Sequence, residues 1–498
     1  MRPQRQGTAI RASGILMPLS SLPGPWGIGT LGSEARRFVD FLAAAGQRYW
    51  QILPIGPTGY GDSPYQSFSA FAANPYLIDP ETLVEQGLLQ PQEAAAPFWG
   101  ADPCRVDYGA LWAGRGQLLQ KAAGRLPEDD EGFCKFCAAE RDWLDDYALF
   151  MALKEENGHE SWLCWPRPVR LRQPQALAEA KERLAGRVFY WKAVQYLFFG
   201  QWRALKSYAA QKGVEIIGDI PIYVSADSSD VWAAPGLFQL DEEGRPTEVA
   251  GCPPDAFAAE GQVWGNPLYA WQAHAASGYA WWLRRLGHAG KVYDLLRIDH
   301  FRGLESYFAI PAGQPSAAGG HWCKGPGMDF IRAVKAALPG LTIIAEDLGY
   351  LTDEVRALRR ASGFAGMKVL QFAFDSREPG DYLPHNYQRN AVVYTGTHDN
   401  IPTAAWQGQA SPEDAAAARA YMAAAEEDLA PAFIRTALAS VCDTAIIPMQ
   451  DWLGLGAGAR MNTPSRLDGN WQWRMAPGAA SETLAARIRA LTERYGRV

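Results

Sequence analysis

The sequence predicts a (β/α)₈ barrel, or TIM barrel, with large insertions at the carboxyl ends of its strands. Three observations predict this α/β fold class. Eight short runs rich in apolar and β-branched residues are spread along 498 residues, helical patterns precede several of them, and carboxylates follow three of them. Strands that alternate with helices pair in parallel, and eight such strands predict a closed barrel whose active site lies at the strand carboxyl ends.

The predicted strands are all short and apolar. They are GILMPL at 14–19, YWQILPI at 49–55, VEIIGDIPIYV at 214–224, VYDLLRIDHF at 292–301, LTIIAEDLG at 341–349, GMKVLQFAF at 366–374, AVVYTGTHDN at 391–400 and TAIIPMQDWL at 444–453. Helical patterns precede the second, third and fifth of these strands, and a glycine closes each pattern, as a left-handed helix cap would.

A long insertion between residues 56 and 213 is largely helical in pattern, and we expect its helical subdomain at about 80–190. A helix around 131–157 carries four large apolar residues at helical spacing, which predicts a stripe that faces a core. These residues are Trp143, Tyr147, Phe150 and Met151.

A second insertion spans about 225–291 and includes GCPPDAFAAEGQVWGNPLYAW, which is dense in Pro, Gly and aromatic residues. This composition predicts a loop-rich segment, and a loop above a barrel mouth usually shapes a binding cleft. The sequence contains no internal repeat and no low-complexity tract. We therefore predict one catalytic barrel over residues 1–498 that carries these two insertions.

Composition, charge and motifs argue against several classes of function. The formal net charge is −7 with acids and bases interspersed, whereas nucleic-acid binding needs a basic face. No apolar run approaches the ~20 residues of a membrane span, and the N-terminus has no signal-peptide core. No glycine-rich phosphate-binding motif follows a strand, so nucleotide binding has little support. We expect neither nucleic acid nor a membrane as a partner.

The seven cysteines are scattered and odd in number, so they form no disulfide framework. Cys134 and Cys137 form a lone CxxC without the second pair that a zinc site of this type needs. We expect reduced thiols and a cytoplasmic protein. Because the acids are dispersed and no HExxH occurs, we also expect no metal and no cofactor.

Three predicted strands each lead into a carboxylate. Asp299 lies in RIDHFRG, Glu346 in AEDLG and Asp399 in GTHDN. Because parallel barrel strands present their carboxyl ends at one face, the three acids should converge there. Two carboxyl groups about 5 Å apart suit a retaining reaction at a glycosidic bond. The third acid would then hold the substrate.

Asp299 is the candidate nucleophile. Alternation along LLRIDHF places Arg297 and Asp299 on one strand face and Leu296 and Ile298 on the other. The polar pair should therefore point into the barrel mouth. A guanidinium two residues away keeps a carboxylate ionised, as a nucleophile requires. A purely structural Arg–Asp ion pair is the alternative, and this segment alone does not decide between them.

Glu346 is the candidate general acid, which is protonated at rest, donates to the leaving oxygen and later accepts a proton. Asp347 beside it points to the other strand face, which indicates a structural role. Asp399 is a candidate for binding sugar hydroxyls through bonds that tighten in an oxocarbenium-like transition state. His300 and His398 are adjacent to two of these acids and strengthen the prediction.

Two further segments add candidates near the mouth. Asp219, in GDIPIYV after the third strand, either binds sugar or holds Arg297. The loop GDSPYQSFSAFAANPYLI after the second strand carries Ser63, Tyr65 and Phe71, and we expect them to face the same mouth. A packed loop aromatic is the alternative for Tyr65.

Seven segments together resemble the amylomaltases, the 4-α-glucanotransferases or disproportionating enzymes of glycoside hydrolase family 77 in the α-amylase clan. They are GDSPYQSFSAFAANPYLI, GDIPIYV, GCPPDAFAAEGQVWGNPLY, LLRIDHFRG, AEDLG, GTHDN and RMNTPSRLDGNWQWR. The resemblance spans residues 14–474, and the WGNPLY and GNWQWR parts are much more specific than the acid-bearing motifs. It implies a retaining α-1,4-glucan transferase without the C-terminal antiparallel β domain of ordinary amylases.

The same resemblance implies individual roles. Asp299 would be the nucleophile, Glu346 the acid/base and Asp399 the transition-state stabiliser. The implied partners are α-1,4-glucans such as maltooligosaccharides and amylose, with glucose as an acceptor, and no cofactor. The implied substrate-binding residues are Ser63, Tyr65, Asp219, Asp255, Gln262, Trp264, Arg297, His300, His398 and Asn462.

The chain departs from the family pattern at Cys252, where Val is usual, at Ile401–Pro402 and at Ser465. These changes affect the cleft loops and leave the acids untouched. An α-1,4-glucan hydrolase shares the covalent intermediate, so the preference for transfer rests on the resemblance. A non-catalytic glucan-binding protein predicts the loss of at least one acid, and all three acids are present.

Overall fold

A computed structural model describes residues 11–498 except for short gaps at 255–259, 350, 377–379, 425–428, 465 and 467. Twelve strands lie within the described residues. In chain order they are β1 Ala12–Leu16, β2 Tyr49–Gln51, β3 Glu215–Ile220, β4 Glu248–Cys252, β5 Gln262–Pro267, β6 Leu295–Ile298, β7 Ser306–Pro311, β8 His321–Lys324, β9 Thr342–Ala345, β10 Gly366–Val369, β11 Ala391–Tyr394 and β12 Thr444–Pro448.

Nineteen α-helices occur in the same described residues. They are α1 Ser33–Ala44, α2 Pro80–Glu85, α3 Pro91–Ala95, α4 Tyr108–Ala123, α5 Glu131–Ala139, α6 Arg141–Glu156, α7 Arg167–Arg170, α8 Pro174–Arg183, α9 Ala185–Gln211, α10 Ser229–Ala233, α11 Trp271–Ala276, α12 Ala280–Val292, α13 Gly327–Ala337, α14 Asp353–Ser362, α15 Thr403–Trp406, α16 Pro412–Met422, α17 Ala430–Ala439, α18 Met449–Trp452 and α19 Glu482–Arg494. None of these described helices is long and apolar enough to cross a lipid bilayer.

Eight strands pair in parallel in the order β10-β11-β12-β1-β2-β3-β6-β9. A parallel contact of Ile344 with Ala365 bridges the remaining gap between β9 and β10, so the sheet closes into a barrel. Each of the eight predicted runs overlaps one of these strands, and the predicted (β/α)₈ fold class is confirmed. The strands are shorter than the runs because the ends of the runs leave the ladder, as in the 3₁₀ helix Leu370–Phe374 after β10.

The barrel strands pack closely where a side chain would not fit. Gly14 on β1 lies opposite Tyr49 on β2 and Ile446 on β12. A Cβ at this position would lie 2.4 Å from the carbonyl oxygen of Tyr49, well inside van der Waals contact. Glycine is therefore required at this point of the barrel by the close approach of its neighbour.

The first insertion, from α2 to α9, is helical. The predicted helix around 131–157 was wrong in one respect, because it is two helices, α5 and α6, that meet at Glu140. The backbone of Glu140 (φ −106°, ψ 11°) leaves the helical region and interrupts the hydrogen-bond ladder. The predicted apolar stripe on α6 is buried. Apolar periodicity continues across the break, so the pattern alone did not reveal it.

A second sheet of four antiparallel strands has the order β5-β4-β7-β8. The sequence prediction missed it, since it gave a loop-rich segment at 225–291 and no element at 306–324. β4 and β5 contain Gly and Pro where strands usually have β-branched residues, which hides them from a pattern search. Trp264 on β5 contacts His300 after β6, with 4.8 Å between ring centroids, so this sheet reaches the barrel mouth.

Candidate active site

The three predicted acids follow three strands at the same end of the barrel. Asp299 directly follows β6, Glu346 directly follows β9, and Asp399 lies in the loop after β11. β6 and β9 pair with Ile298 opposite Ala345, and the Glu346 N–H donates to the Ile298 carbonyl at 3.0 Å. Asp299 and Glu346 therefore leave neighbouring positions on two adjacent strands, which lie about 5 Å apart, an arrangement compatible with a retaining pair.

Arg297 is buried between two carboxylates. Its Nη1 donates to both oxygens of Asp219 at 2.8 and 2.6 Å, and its Nη2 donates to Asp299 Oδ1 at 2.8 Å. The side chain of Asp219 in turn accepts a hydrogen bond from the Tyr65 hydroxyl at 2.8 Å. Arg297 and Asp299 therefore lie on one face, as predicted. Asp219 holds Arg297, which is one of the two roles that the sequence allowed for Asp219.

The charges in this chain of contacts support one another. Burial disfavours the charge on Arg297, but Asp219 and Asp299 outweigh it and hold the guanidinium pKa well above its usual range. Burial raises the pKa of the Asp219 carboxyl, and the Arg297 guanidinium opposes that shift. Burial, followed by the charge of Asp219, raises the pKa of Tyr65, so its hydroxyl stays protonated and can donate. A fixed positive charge thus faces Asp299.

Glu346 lies in a different electrostatic environment from Asp299. Burial, and then the negative charge of Asp299, raise the pKa of Glu346 to about 8, although Arg297 opposes the shift. Its two oxygens accept backbone N–H bonds from His300 at 2.6 Å and from Leu348 at 2.9 Å, which fix the carboxyl group in place. At neutral pH this carboxyl group therefore carries a proton that it can donate.

His300 supports this arrangement through its backbone and its ring. Its φ of 50° is in the left-handed region, which is uncommon for a residue with a side chain and directs its N–H towards Glu346. Burial lowers the pKa of His300 to about 4, so the imidazole is neutral. The neutral ring lies edge-on to Trp264 and can offer a hydrogen bond to a sugar hydroxyl without adding charge.

The loop that carries Asp399 is attached to the segment after β12. Asn462 Nδ2 donates to Asp399 Oδ1 at 2.6 Å, and His398 Nε2 lies 3.4 Å from the same oxygen. Arg460 Nη2 donates to the carbonyl of Asp399 at 2.6 Å, and the Asn462 N–H donates to the His398 carbonyl at 3.0 Å. The structure thus brings the predicted residues His398, Asp399 and Asn462 together.

Tyr65 is held by an aromatic cluster at the mouth. Its ring stacks on His398 with 5.2 Å between centroids, and Trp471 lies 5.9 Å from both rings. Ser63 Oγ accepts the Tyr65 backbone N–H at 3.3 Å, so Ser63 orients the loop that carries Tyr65. The sequence search did not single out Trp471, although it lies in the GNWQWR segment whose specificity was noted.

The small sheet supplies the next predicted pair. Trp264 Nε1 donates to Gln262 Oε1 at 3.0 Å, and both residues lie on β5. Gln66, which the sequence search did not single out, donates from Nε2 to the Trp264 carbonyl at 3.4 Å and so links β5 to the Tyr65 loop. Cys252 pairs opposite Gln262 and is half-buried. The predicted residue Asp255 lies outside the described residues.

Phe71 was predicted to face the mouth, and this prediction was wrong. Its ring is buried against Trp143 of α6, at 6.2 Å between centroids, and against His288 of α12, at 5.6 Å. A large apolar ring gains more from this interior than from a wet cleft. Asp347 accepts the Met367 N–H at 2.7 Å and pairs with Arg359 at 3.2 Å, away from the acids, in agreement with its predicted structural role.

The described residues contain no group of three or more His, Cys, Asp or Glu side chains placed to hold a metal ion. The mouth brings together carboxyl groups, a guanidinium and hydrogen-bond donors of the chain. One carboxylate faces a guanidinium, and a neighbouring carboxyl group holds a proton. This pair can attack a carbon centre on one side of a bond and protonate an oxygen on the other.

Comparisons with known proteins agree with this chemistry. The sequence profile of the 4-alpha-glucanotransferase family matches residues 17–480. A 4-alpha-glucanotransferase of Thermus thermophilus is 49% identical over 496 residues, covering 97% of this chain and 98% of that protein. One from Streptococcus pneumoniae is 48% identical, with 98% of each chain covered.

The solved structures show the same relation. The amylomaltase from Streptococcus agalactiae, in complex with acarbose, superposes with a TM-score of 0.95 at 42% identity and covers 98% of this chain and 99% of that one. The amylomaltase from Corynebacterium glutamicum has a TM-score of 0.76 at 20% identity, which shows the common fold alone. The chain therefore belongs to the 4-α-glucanotransferase family, glycoside hydrolase family 77, and is an enzyme of that class.

Proposed function

We propose that Asp299 is the nucleophile, Glu346 the general acid and base, and Asp399 the transition-state stabiliser of this glucan transfer. The observation that carries the proposal is the contrast between two neighbouring carboxyl groups. Asp299 accepts a hydrogen bond from a buried guanidinium, whereas burial and the charge of Asp299 raise the pKa of Glu346 to about 8. Opposite environments for two adjacent acids are the usual sign of an acid and nucleophile pair.

In the first step, an Asp299 carboxylate oxygen forms a bond to the anomeric carbon of the donor glucan. The glycosidic bond breaks, and its oxygen takes the proton of Glu346. In the second step, the 4-hydroxyl of the acceptor loses its proton to Glu346 and forms a bond to the anomeric carbon, which releases Asp299. Two inversions give retention, so an α-1,4 bond is replaced by an α-1,4 bond.

The substrates we propose are α-1,4-glucans, such as maltooligosaccharides and amylose, with glucose also serving as an acceptor. Flat aromatic surfaces at Tyr65 and Trp264 suit the apolar faces of glucose rings, and neutral donors suit their hydroxyls. The amylomaltase that binds acarbose supports the same class. The proposed substrate-binding residues are Ser63, Tyr65, Asp219, Gln262, Trp264, Arg297, His300, His398 and Asn462, together with Asp255 on the family resemblance.

Transfer rather than hydrolysis requires that a sugar hydroxyl reach the covalent intermediate before water does. The Tyr65 loop and β5 are joined through Gln66, so the two walls of the cleft are connected beside the acids. A sugar held there has a large effective concentration relative to a freely diffusing water. We also propose a cytoplasmic location, which is supported by seven cysteines present as thiols.

Maltotriose incubated with the enzyme should yield a series of longer maltodextrins together with free glucose, with no added cofactor. The physical reason is that each maltotriose can act both as donor and as acceptor. High-performance anion-exchange chromatography of the products would measure this. Products no longer than maltotriose would instead show a hydrolase, the alternative function.

The rate of transfer should fall on the alkaline side as Glu346 loses its proton. Since the pKa of Glu346 is raised to about 8, kcat/KM for maltotriose should decline about tenfold per pH unit above that value. An α-maltotriosyl fluoride donor is the control, because fluoride leaves without a proton. With this donor the first step should not slow down above pH 8. A profile with maltotriose that stays flat well beyond pH 8 would contradict the assignment of Glu346.

A further inference from the structure

The loop that carries Asp399 is fastened at both ends to one buried carboxylate. The Thr395 hydroxyl, at the start of the loop, donates to Asp451 Oδ2 at 2.5 Å. The Thr403 hydroxyl and backbone N–H, at the end of the loop, donate to Asp451 Oδ2 and Oδ1, each at 2.7 Å. Asp451 lies in α18, directly after the last barrel strand, so it joins the loop after β11 to its neighbour β12.

These contacts are shielded from solvent. Asp451 is 3% exposed, and Thr395 and Thr403 are fully buried. The cavity beside Asp451, lined also by His398 and Met461, has a volume of about 10 Å³, which is room for a single water at most. A hydrogen bond lost at Asp451 can therefore hardly be replaced by water, and a carboxylate oxygen would be left short of a partner.

Asp399 lies four residues from each of these two ends. Within the loop, Asn400 Oδ1 accepts the Thr397 N–H at 2.8 Å, which closes a turn but does not tie it to the barrel. Gln371 also contacts both ends of the loop, because its N–H donates to the Thr395 carbonyl at 3.3 Å and its Nε2 donates to the Ile401 carbonyl at 2.9 Å. Near the middle of the loop, Arg460 and Asn462 bind Asp399, and the Asn462 N–H binds the His398 carbonyl. Asp451 is the carboxylate that binds the side chains of Thr395 and Thr403, one at each point where the loop leaves the barrel.

We propose that Asp451 is a positioning residue, which sets the place of Asp399 in the active site through Thr395 and Thr403. The inference rests on the proposed role of Asp399. A carboxylate that binds sugar hydroxyls most strongly in the transition state is sensitive to small displacements, and a shift near 1 Å typically costs about 100-fold in rate. Loss of one of these tethers should therefore lower kcat while leaving KM unchanged.

The chain contains a matched control for this arrangement. Asp79, which caps α2 in the first insertion, is 2% exposed and accepts hydrogen bonds from Thr30 Oγ1 at 2.6 Å and from Thr82 N at 2.8 Å. It is likewise a buried aspartate held by two threonines, but it is attached to a helix start and not to an acid-bearing loop. Thr30→Val removes the same kind of bond from the same kind of site.

The test measures kcat, KM and the thermal midpoint for Thr395→Val, Thr403→Val, Thr403→Ser and Thr30→Val with maltotriose. We expect Thr395→Val and Thr403→Val each to lower kcat by about 10- to 100-fold and to leave KM unchanged. Thr403→Ser keeps both donors and should restore kcat. Thr30→Val should lower the thermal midpoint by a similar amount and keep kcat. If one valine variant does not fold, the other valine variant is measured together with Asp451→Asn. The amide that this substitution introduces cannot accept all three hydrogen bonds that Asp451 accepts.

Three results would overturn the proposal. The first is an unchanged kcat in Thr395→Val and Thr403→Val, and the second is an equal loss of kcat in Thr30→Val. The third is a Thr403→Ser variant that is as slow as Thr403→Val. Asp399→Asn separates this proposal from the one on which it rests. An inactive Asp399→Asn beside fully active valine variants rejects only the positioning role of Asp451. An active Asp399→Asn rejects the role of Asp399 itself.

Discussion

Asp299→Asn is expected to reduce kcat for transfer from maltotriose by about 10⁴- to 10⁶-fold, the range seen when a covalent nucleophile is removed. The carboxamide has the shape of the carboxylate, and its oxygen can still accept the hydrogen bond from Arg297 Nη2. It does not form the glycosyl ester, however, so the fold should survive while the first step is lost. Steady-state kinetics and a thermal melt of the same preparation would measure both.

Asp294→Asn is the matched control for this variant. Asp294 precedes the same strand, β6, but at the opposite end of the barrel, where its Oδ2 accepts the Ile216 N–H at 2.9 Å. Because it is remote from the strand carboxyl ends, its replacement should leave kcat unchanged. Retained turnover in Asp299→Asn, or an equal loss in Asp294→Asn, would remove the basis for calling Asp299 the nucleophile.

Glu346→Gln is expected to lower kcat with maltotriose by about 10²- to 10⁴-fold, the usual contribution of a general acid. Glutamine can keep an oxygen for one of the backbone N–H groups of His300 and Leu348, but it has no proton to give to the leaving oxygen. With α-maltotriosyl fluoride, whose leaving group needs no proton, Glu346→Gln should slow the formation of the glycosyl-enzyme far less than it slows transfer from maltotriose. Release of fluoride in a single turnover measures that step directly.

The comparison of donors separates the two acids. Asp299→Asn should be slow with both donors, whereas Glu346→Gln should be slow chiefly with maltotriose. Asp347→Asn is the control beside Glu346, since Asp347 points to Met367 and Arg359 and should affect stability rather than chemistry. A Glu346→Gln variant that is equally slow with both donors would contradict the role of Glu346 as the acid. An Asp299→Asn variant that is active with α-maltotriosyl fluoride but not with maltotriose would instead make Asp299 the acid.

Prediction from sequence worked where short-range rules apply. The barrel followed from apolar runs that alternate with helical patterns, and the common face of Arg297 and Asp299 followed from the two-residue period of a strand. It was wrong where a pattern looks the same in two structures. The apolar spacing continues across Glu140, so it did not reveal the break between the two helices. Phe71 lies in a loop next to the cleft and was predicted to face the mouth, but it packs in the core.

Other features were out of reach of the sequence because they join segments far apart in the chain. The four strands of the second sheet, β4, β5, β7 and β8, were not predicted as strands, and their pairing with one another defines that sheet. Trp471 reaches Tyr65 across about four hundred residues, and Asp451 reaches both ends of the Asp399 loop. No local rule specifies such contacts, because packing rather than propensity decides them.

The sequence by itself determined the fold class, the three acids and their common end of the barrel, because strand direction and side-chain alternation are local properties of the chain. The surroundings of Asp299 and Glu346 were decided only by the tertiary structure. Asp299 faces a guanidinium that Asp219 holds in place, and Glu346 is buried beside a negative charge that raises its pKa to about 8. The protonation of Glu346 depends on burial and on neighbouring charges, and both arise only when the strands have come together.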